Sequence, residues 1–192
     1  FVGGILRLRL AEHRDIRVDM EERISPEVVR GVWQGSASLG ICWASNQGAD
    51  LGALQSRAYR SDHLAIVVHP SHPLAGRRSV RFEQTLDHEH VSLPVTSAVQ
   101  VMLKRAAAAL GKTLVNRVIV SNFEAALRVV KPNLAISVVP QEVAQPYATA
   151  HNLRVIALDE PWARREFAIC FRDEASLSPA SRLLMTHLRM QG

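Results

Sequence analysis

The chain has 192 residues, 47% of them hydrophobic and 21% charged, an ordinary balance for a folded globular chain and enough for one core or two small lobes. The formal charge is +5, but Lys and Arg are scattered without a basic run, and aromatic residues make up 5%. Charge alone therefore argues no nucleic-acid site, and no apolar stretch approaches the roughly 18–20 residues that span a bilayer.

In chain order, FVGGILRLRLAEH (1–13) opens with apolar residues at helical spacing and no capping residue, so the sequence is expected to be a piece of a larger protein. DIRVDME (15–21) alternates, which predicts a strand with Ile16, Val18 and Met20 on one face. SPEVVRGVWQG (25–35) reads as a helix with Ser25 as N-cap, Pro26 at the first helical position and Gly35 as stop. SLGICWA (38–44) is a short apolar strand, completing a β-α-β unit. LGALQSRAYRSDHLAIVVH (51–69) gives one or two extended segments, with an unalternating apolar run at 64–68 that suits a strand covered on both faces.

After a turn region come a strand at 90–93 and a helix at 97–111, capped by Ser97 and stopped at Gly111. A strand at 114–121, a helix at 122–133 stopped by Pro132, and a buried strand at 134–140 follow. A helix over about 141–150, strands at 153–158 and 165–172, and a Ser-Pro-opened helix at 178–190 close the chain. The pattern predicts an α/β protein with mostly parallel strands. If the apolar strands 64–68 and 167–171 both cross between lobes, each lobe is a small α/β sandwich. Ligands in such sheets sit at the carboxyl ends of strands, against helix N-termini.

Cys42 and Cys170 lie in apolar runs and read as buried free thiols; their spacing permits a disulfide without supporting one. His69 and His72 invite a metal reading, with DHEH (87–90) near them in sequence. Pro70 and Pro73 oppose the helical turn that would converge them, so a surface loop is expected and no metal. No G-x-S-x-G, no Cys beside a usable base and no phosphate-loop pattern occurs, so no catalytic residue and no cofactor is expected.

The order of these pieces resembles the effector-binding domain of LysR-type transcriptional regulators over the whole chain. The resemblance rests on LAEHRDIRVDMEE (10–22), SPEVVRGVWQGSASLGI (25–41), YRSDHLAIVVHPSHPLA (59–75), which ends in the family's H-P-L-A, and LRVVKPNLAISVVP (127–140). Ser38 stands where the family has Asp, and Asn133 and Ala135 replace glycines, which bears on local loops.

The resemblance implies two Rossmann-like α/β lobes joined by two crossover strands, in a type 2 periplasmic-binding-protein-like fold. Lobe I would hold 1–63 and 164–192, lobe II 64–163, with crossovers near 62–68 and 164–171. It implies a cytoplasmic bacterial regulator domain that binds a small-molecule effector in the interlobe cleft and is not an enzyme. The helices at 1–10 and 97–111 would pair in a homodimer, or a tetramer in the full-length protein. DNA would be bound through an N-terminal domain outside this sequence, and no membrane is involved. The family's first strand and its pocket loop also lie outside it.

The candidate ligand-binding residues are polar groups at strand ends and helix starts. Ser25 has the cap as its plain role and, by resemblance, effector contact. Trp43 is either pocket wall or core. Thr96 and Ser97 open a helix whose free N–H groups suit a carboxylate. Asn122 and Phe123 open the next helix, from which the family lines its pocket. The alternatives are a periplasmic solute-binding protein of similar bilobal fold and an α/β enzyme.

Overall fold

The computed structural model describes residues 16–21, 23–43 and 50–190. The helix expected at 1–13 lies outside them. By its contacts the chain divides into two units, Phe1–Ser61 with Glu166–Gly192, and Asp62–Arg165.

In the first unit, α1 (Ser25–Gln34) leads into β1 (Gly40–Trp43), and α1 ends at Gly35, which takes the left-handed conformation (φ 80°) that a side chain resists. β1 pairs antiparallel with β8 (Arg164–Phe171), Gly40 opposite Cys170 and Trp43 opposite Phe167. Gly40 is required by packing, since a Cβ there would lie 2.5 Å from Val28 Cγ1 and 3.0 Å from Cys170 Sγ. α6 (Pro179–Met190) packs Met185 and Leu188 against Ile169 and Phe171. Cys42 and Cys170 are buried free thiols with sulfurs 3.8 Å apart. Contact with Cys170 and burial push the Cys42 thiol up.

Two expectations fail in this unit. Residues 16–21 form no strand, because alternation supplies a face but not a pairing partner. The β-α-β unit is therefore absent among the described residues. Ser25 is not the N-cap: Ile24 is, without a side-chain cap bond, and the helix begins one residue earlier than Pro26 suggests.

The second unit is built on the part of β2 (Gln55–Val68) from Asp62 onward, with β3 (Ser79–Val80), β4 (His90–Ser92), β5 (Asn116–Ile119), β6 (Ile136–Pro140) and β7 (Arg154–Leu158). Their pairings give the order β3-β7-β2-β6-β4-β5. All run the same way except β2, which is antiparallel to both neighbours because it belongs to the crossover. The mostly parallel expectation holds in this sheet and fails for the β1–β8 pair. Leu64–Val68 are all buried between β6 and β7, as an unalternating run should be.

The helices are α2 (Phe82–Thr85), α3 (Ala98–Ala109), α4 (Phe123–Val130) and α5 (Gln141–His151). α4 and α5 cover one face, with Ala126, Leu127, Val130, Ala144 and Ala148 packed on Val67, Val91 and Val139. α3 contributes nothing to that cluster. The chain steps outward from β4 to β5 through α3, then back across β4 to β6 through α4. Right-handed crossovers put those two helices on opposite faces. Arg165 Nε donates to Asp62 Oδ1 at 2.7 Å, and the guanidinium also pairs with Oδ2, a mostly buried ion pair joining β8 to β2. β3, α2 and a 3-10 turn at Pro161–Ala163 occupy stretches the sequence did not resolve.

Candidate functional site

β4, β5 and β6 are parallel and each runs directly into a helix, so the starts of α3, α4 and α5 lie at one end of the sheet. The helices that follow the neighbouring strands β4 and β6 leave toward opposite faces, which puts the topological switch point between these two strands and makes this end the crevice that α/β sheets use for ligands. Val120 N–H donates to Ser92 O at 2.9 Å, holding the ends of β4 and β5 together.

Four of the expected ligand-binding residues sit at this end. Thr96 is exposed and Ser97 half-buried. Ser97 is the N-cap of α3, but its side chain makes no cap bond. Asn122 is the N-cap of α4, and its Oδ1 accepts the Ala125 N–H at 2.9 Å. Phe123 is half-buried and packs against the cluster under α4 and α5.

The other two belong to the first unit and are joined to each other. The Trp43 N–H donates to Ser25 Oγ at 3.2 Å, fastening the start of α1 to the end of β1. Trp43 is 4% exposed, and its indole Nε1 is buried without a partner.

Electrostatically the three helix starts differ. α4 and α5 carry Glu124 and Glu142 in their first turns, and α3 carries no acid there. Neither its N-cap side chain nor its own first turn offsets the free N–H groups and the positive end of its dipole. Gln100, in that first turn, is 1% exposed and its Nε2 has no partner. The sequence reading missed it. Its one mark there is the S-x-x-Q spacing of Ser97 and Gln100, which suggests a capping box that is not formed.

His69 and His72 lie in turns, and His90 lies on a strand. His69 Nδ1 lies 2.7 Å from Ser71 Oγ, and His72 Nδ1 accepts the Leu74 N–H in a run of turns from His69 to Arg77. His72 meets His88 edge-on, and burial first, then that neighbour, lowers its pKa. His90 is buried on β4, with Nε2 donating to Thr85 O at 3.0 Å, and burial brings its pKa down to about 4. Among the described residues no group of three or more His, Cys, Asp or Glu could hold a metal ion, and no helix is long and apolar enough to cross a membrane.

Comparison with known proteins gives a consistent picture. The family model described as LysR substrate binding domain matches residues 1–192. The RuBisCO operon transcriptional regulator of Allochromatium vinosum is 23% identical over 128 residues, 67% of this chain and 42% of that protein. This chain thus spans less than half of that relative's length. Among solved structures, the regulatory domain of CcmR from Synechocystis PCC6803 in complex with 2-PG superposes with a TM-score of 0.86 at 15% identity, covering all of this chain and 90% of that one. The effector binding domain of QuiR in complex with shikimate gives 0.79 at 19% identity, again covering 100% and 90%. HinK, a LysR family regulator from Pseudomonas aeruginosa, gives 0.78 at 15% identity, with 100% of this chain and 66% of that one. These likenesses show the fold, the α/β architecture of the type 2 periplasmic-binding-protein class.

Proposed function

The chain belongs to the family of LysR substrate binding domains, and from that premise we propose that it is the ligand-sensing and dimerisation domain of a bacterial LysR-type transcriptional regulator. The observation that carries the reading is the family match over every residue of the chain. The domain binds a small organic effector, as the neighbouring domains hold shikimate and 2-PG. Ser25, Trp43, Thr96, Ser97, Asn122 and Phe123 contact it. Binding shifts the balance between arrangements of the full-length protein, and thereby its engagement of DNA, in the cytoplasm and without a catalytic step.

The partner within the assembly is a second copy. Val101 and Leu110 on and beside α3, with Val115 and Ile119 on and beside the edge strand β5, are exposed apolar side chains. They support a homodimer formed through this face. Light scattering at tens of micromolar is expected to give a dimer; monomer alone contradicts that part.

A thermal-shift screen of metabolites tests the function, since a ligand that binds only the folded chain raises its melting temperature. Hits are expected among small polar organic molecules, with binding weakened in Ser25→Ala and Asn122→Ala. A hit bound equally well by both variants overturns the contact assignment. Upstream coding sequence is expected to encode a helix-turn-helix; a signal peptide in its place contradicts the regulator.

A further inference from the structure

We propose that Cys42 and Cys170 form a redox switch: a hydroperoxide joins them in a disulfide that draws β1 against β8 and shifts Trp43 and Ser25. The disulfide itself stands apart from the effector reading above; its effect on ligand affinity rests on that reading.

The strand register brings the two thiols together. Cys42 lies opposite Ala168 and Cys170 opposite Gly40, so the cysteines are diagonal neighbours with side chains on one face of the β1–β8 pair. Both are buried in one cluster with Val32 and Leu54. Their sulfurs are 3.8 Å apart, with the Cys42 S–H donating to Cys170 Sγ. The Cys170 sulfur sits where a side chain on Gly40 would be, since a Cβ there would lie 3.0 Å from it. The sequence holds two cysteines, so an oxidised sulfur meets one thiol of its own chain and no competitor.

Cys170 reacts first. The Cys42 S–H, and the backbone N–H groups of Cys170 and Gly40, lower its pKa against the opposing effect of burial, while contact with Cys170 and burial push Cys42 up. The Cys170 thiolate attacks the hydroperoxide. An S–O bond forms, the O–O bond breaks, and the departing alkoxide takes up the thiol's proton, leaving a sulfenic acid and an alcohol. Cys42 then gives up its proton and attacks that sulfur. The S–S bond forms, the S–O bond breaks, and the hydroxyl leaves as water. Two electrons pass from the two thiols to the hydroperoxide. Burial makes the first step slow. β1 provides the way in, because it has four residues, ends the strand order and is paired with β8 alone among the described residues, and a short end strand opens at low cost.

Closure moves the backbone. Diagonal neighbours stand roughly 7–8 Å apart at Cα, and a disulfide usually spans about 4.4–6.8 Å. The sulfurs must come from 3.8 Å to about 2.05 Å. β1 does not move alone: Gly40 is packed against Val28 and Val32 of α1, and the Trp43 N–H is held by Ser25 Oγ. Oxidation is thereby felt at the start of α1 and the end of β1, where two of the proposed effector contacts lie.

The test treats the intact, reduced chain with hydrogen peroxide, counts free thiols after denaturation and maps the peptides by mass. The two thiols are expected to fall to none, with a Cys42–Cys170 linked peptide within one chain, and dithiothreitol to restore both. Cys42→Ala is expected to stop at a Cys170 sulfenic acid that dimedone traps, and Cys170→Ala to leave Cys42 a thiol. Amide spectra are expected to show Ser25 and Trp43 shifting on oxidation and returning on reduction. Affinity for a hit from the metabolite screen is expected to fall about tenfold in the oxidised chain.

Two thiols that persist, sulfinic acid without a linked peptide, or a disulfide formed only between chains overturns the proposal. The wild-type count decides this even where a variant fails to fold. A linked peptide with the Ser25 and Trp43 amides unmoved, or a hit bound with unchanged affinity, overturns the coupling to the site. A screen that finds no ligand is a failure of the effector reading instead, and the thiol count and amide shifts still decide the switch.

Discussion

Two helices begin at the same end of one sheet and are finished differently. α4 is closed: Asn122 caps the Ala125 N–H, and Glu124 offsets the dipole. α3 is open: Ser97 sits at the cap position with its hydroxyl unused, no acid follows, and Gln100 holds a buried donor without a partner. Both starts carry residues favoured at helix N-caps. The difference teaches that cap chemistry in a sequence marks where a helix begins, but not whether the cap is spent on the helix. Where it is unspent, the helix start remains available to a ligand.

The largest expected effect is acid lability at His90, at the opposite end of the strand that feeds α3. His90 has its folded pKa brought down to about 4 by burial, against an ordinary value of about 6.5. As pH falls below 6.5 the unfolded chain takes up the proton first. Stability is therefore complete above that pH and is lost as pH falls from 6.5 through 4, by on the order of 3 kcal/mol. Urea unfolding between pH 7.5 and pH 4.5 is expected to show the loss, and His90→Gln to flatten it. The contrast between α3 and α4 should therefore be measured above pH 6.5.

Next in size is the cap itself. Asn122→Ala is expected to cost about 1 kcal/mol, read as a lower urea midpoint. A smaller effect comes from closing the open helix: Ala98→Glu supplies α3 with its own first-turn carboxylate. It is expected to stabilise the ligand-free protein by roughly 0.3–1 kcal/mol and to weaken binding of an anionic hit from the metabolite screen. Smallest is Ser97→Ala, expected to change stability by no more than a few tenths of a kcal/mol, because its hydroxyl makes no cap bond. A Ser97→Ala cost equal to that of Asn122→Ala would erase the distinction between the two helix starts.

The fold was legible wherever an element was long enough to show its period. The helices at 98–109, 123–130 and 141–151 and the buried run 64–68 follow their apolar spacing and their flanking Ser, Asn, Gly and Pro. β3, with two residues, and α2, with four, are too short to show one. Residues 16–21 have alternation without a ladder, since pairing depends on a neighbour remote in sequence. At the candidate site, Ser97 and Asn122 were legible as helix starts, but their unequal use depends on where side chains settle. Ser25 illustrates the same limit, since its hydroxyl holds the Trp43 N–H rather than capping α1. Gln100 was illegible because a glutamine one turn into a helix reads as a capping partner, and its burial follows from tertiary packing.

Amide chemical-shift mapping of the isotope-labelled chain with a hit from the metabolite screen tests the central claim most directly. The account predicts that the largest shifts in Asp62–Arg165 fall on Ser97–Gln100, at the start of α3, with smaller ones at Asn122–Ala125. Shifts confined to β3, β7 and the Pro161–Ala163 turn, with the α3 start unmoved, would contradict it.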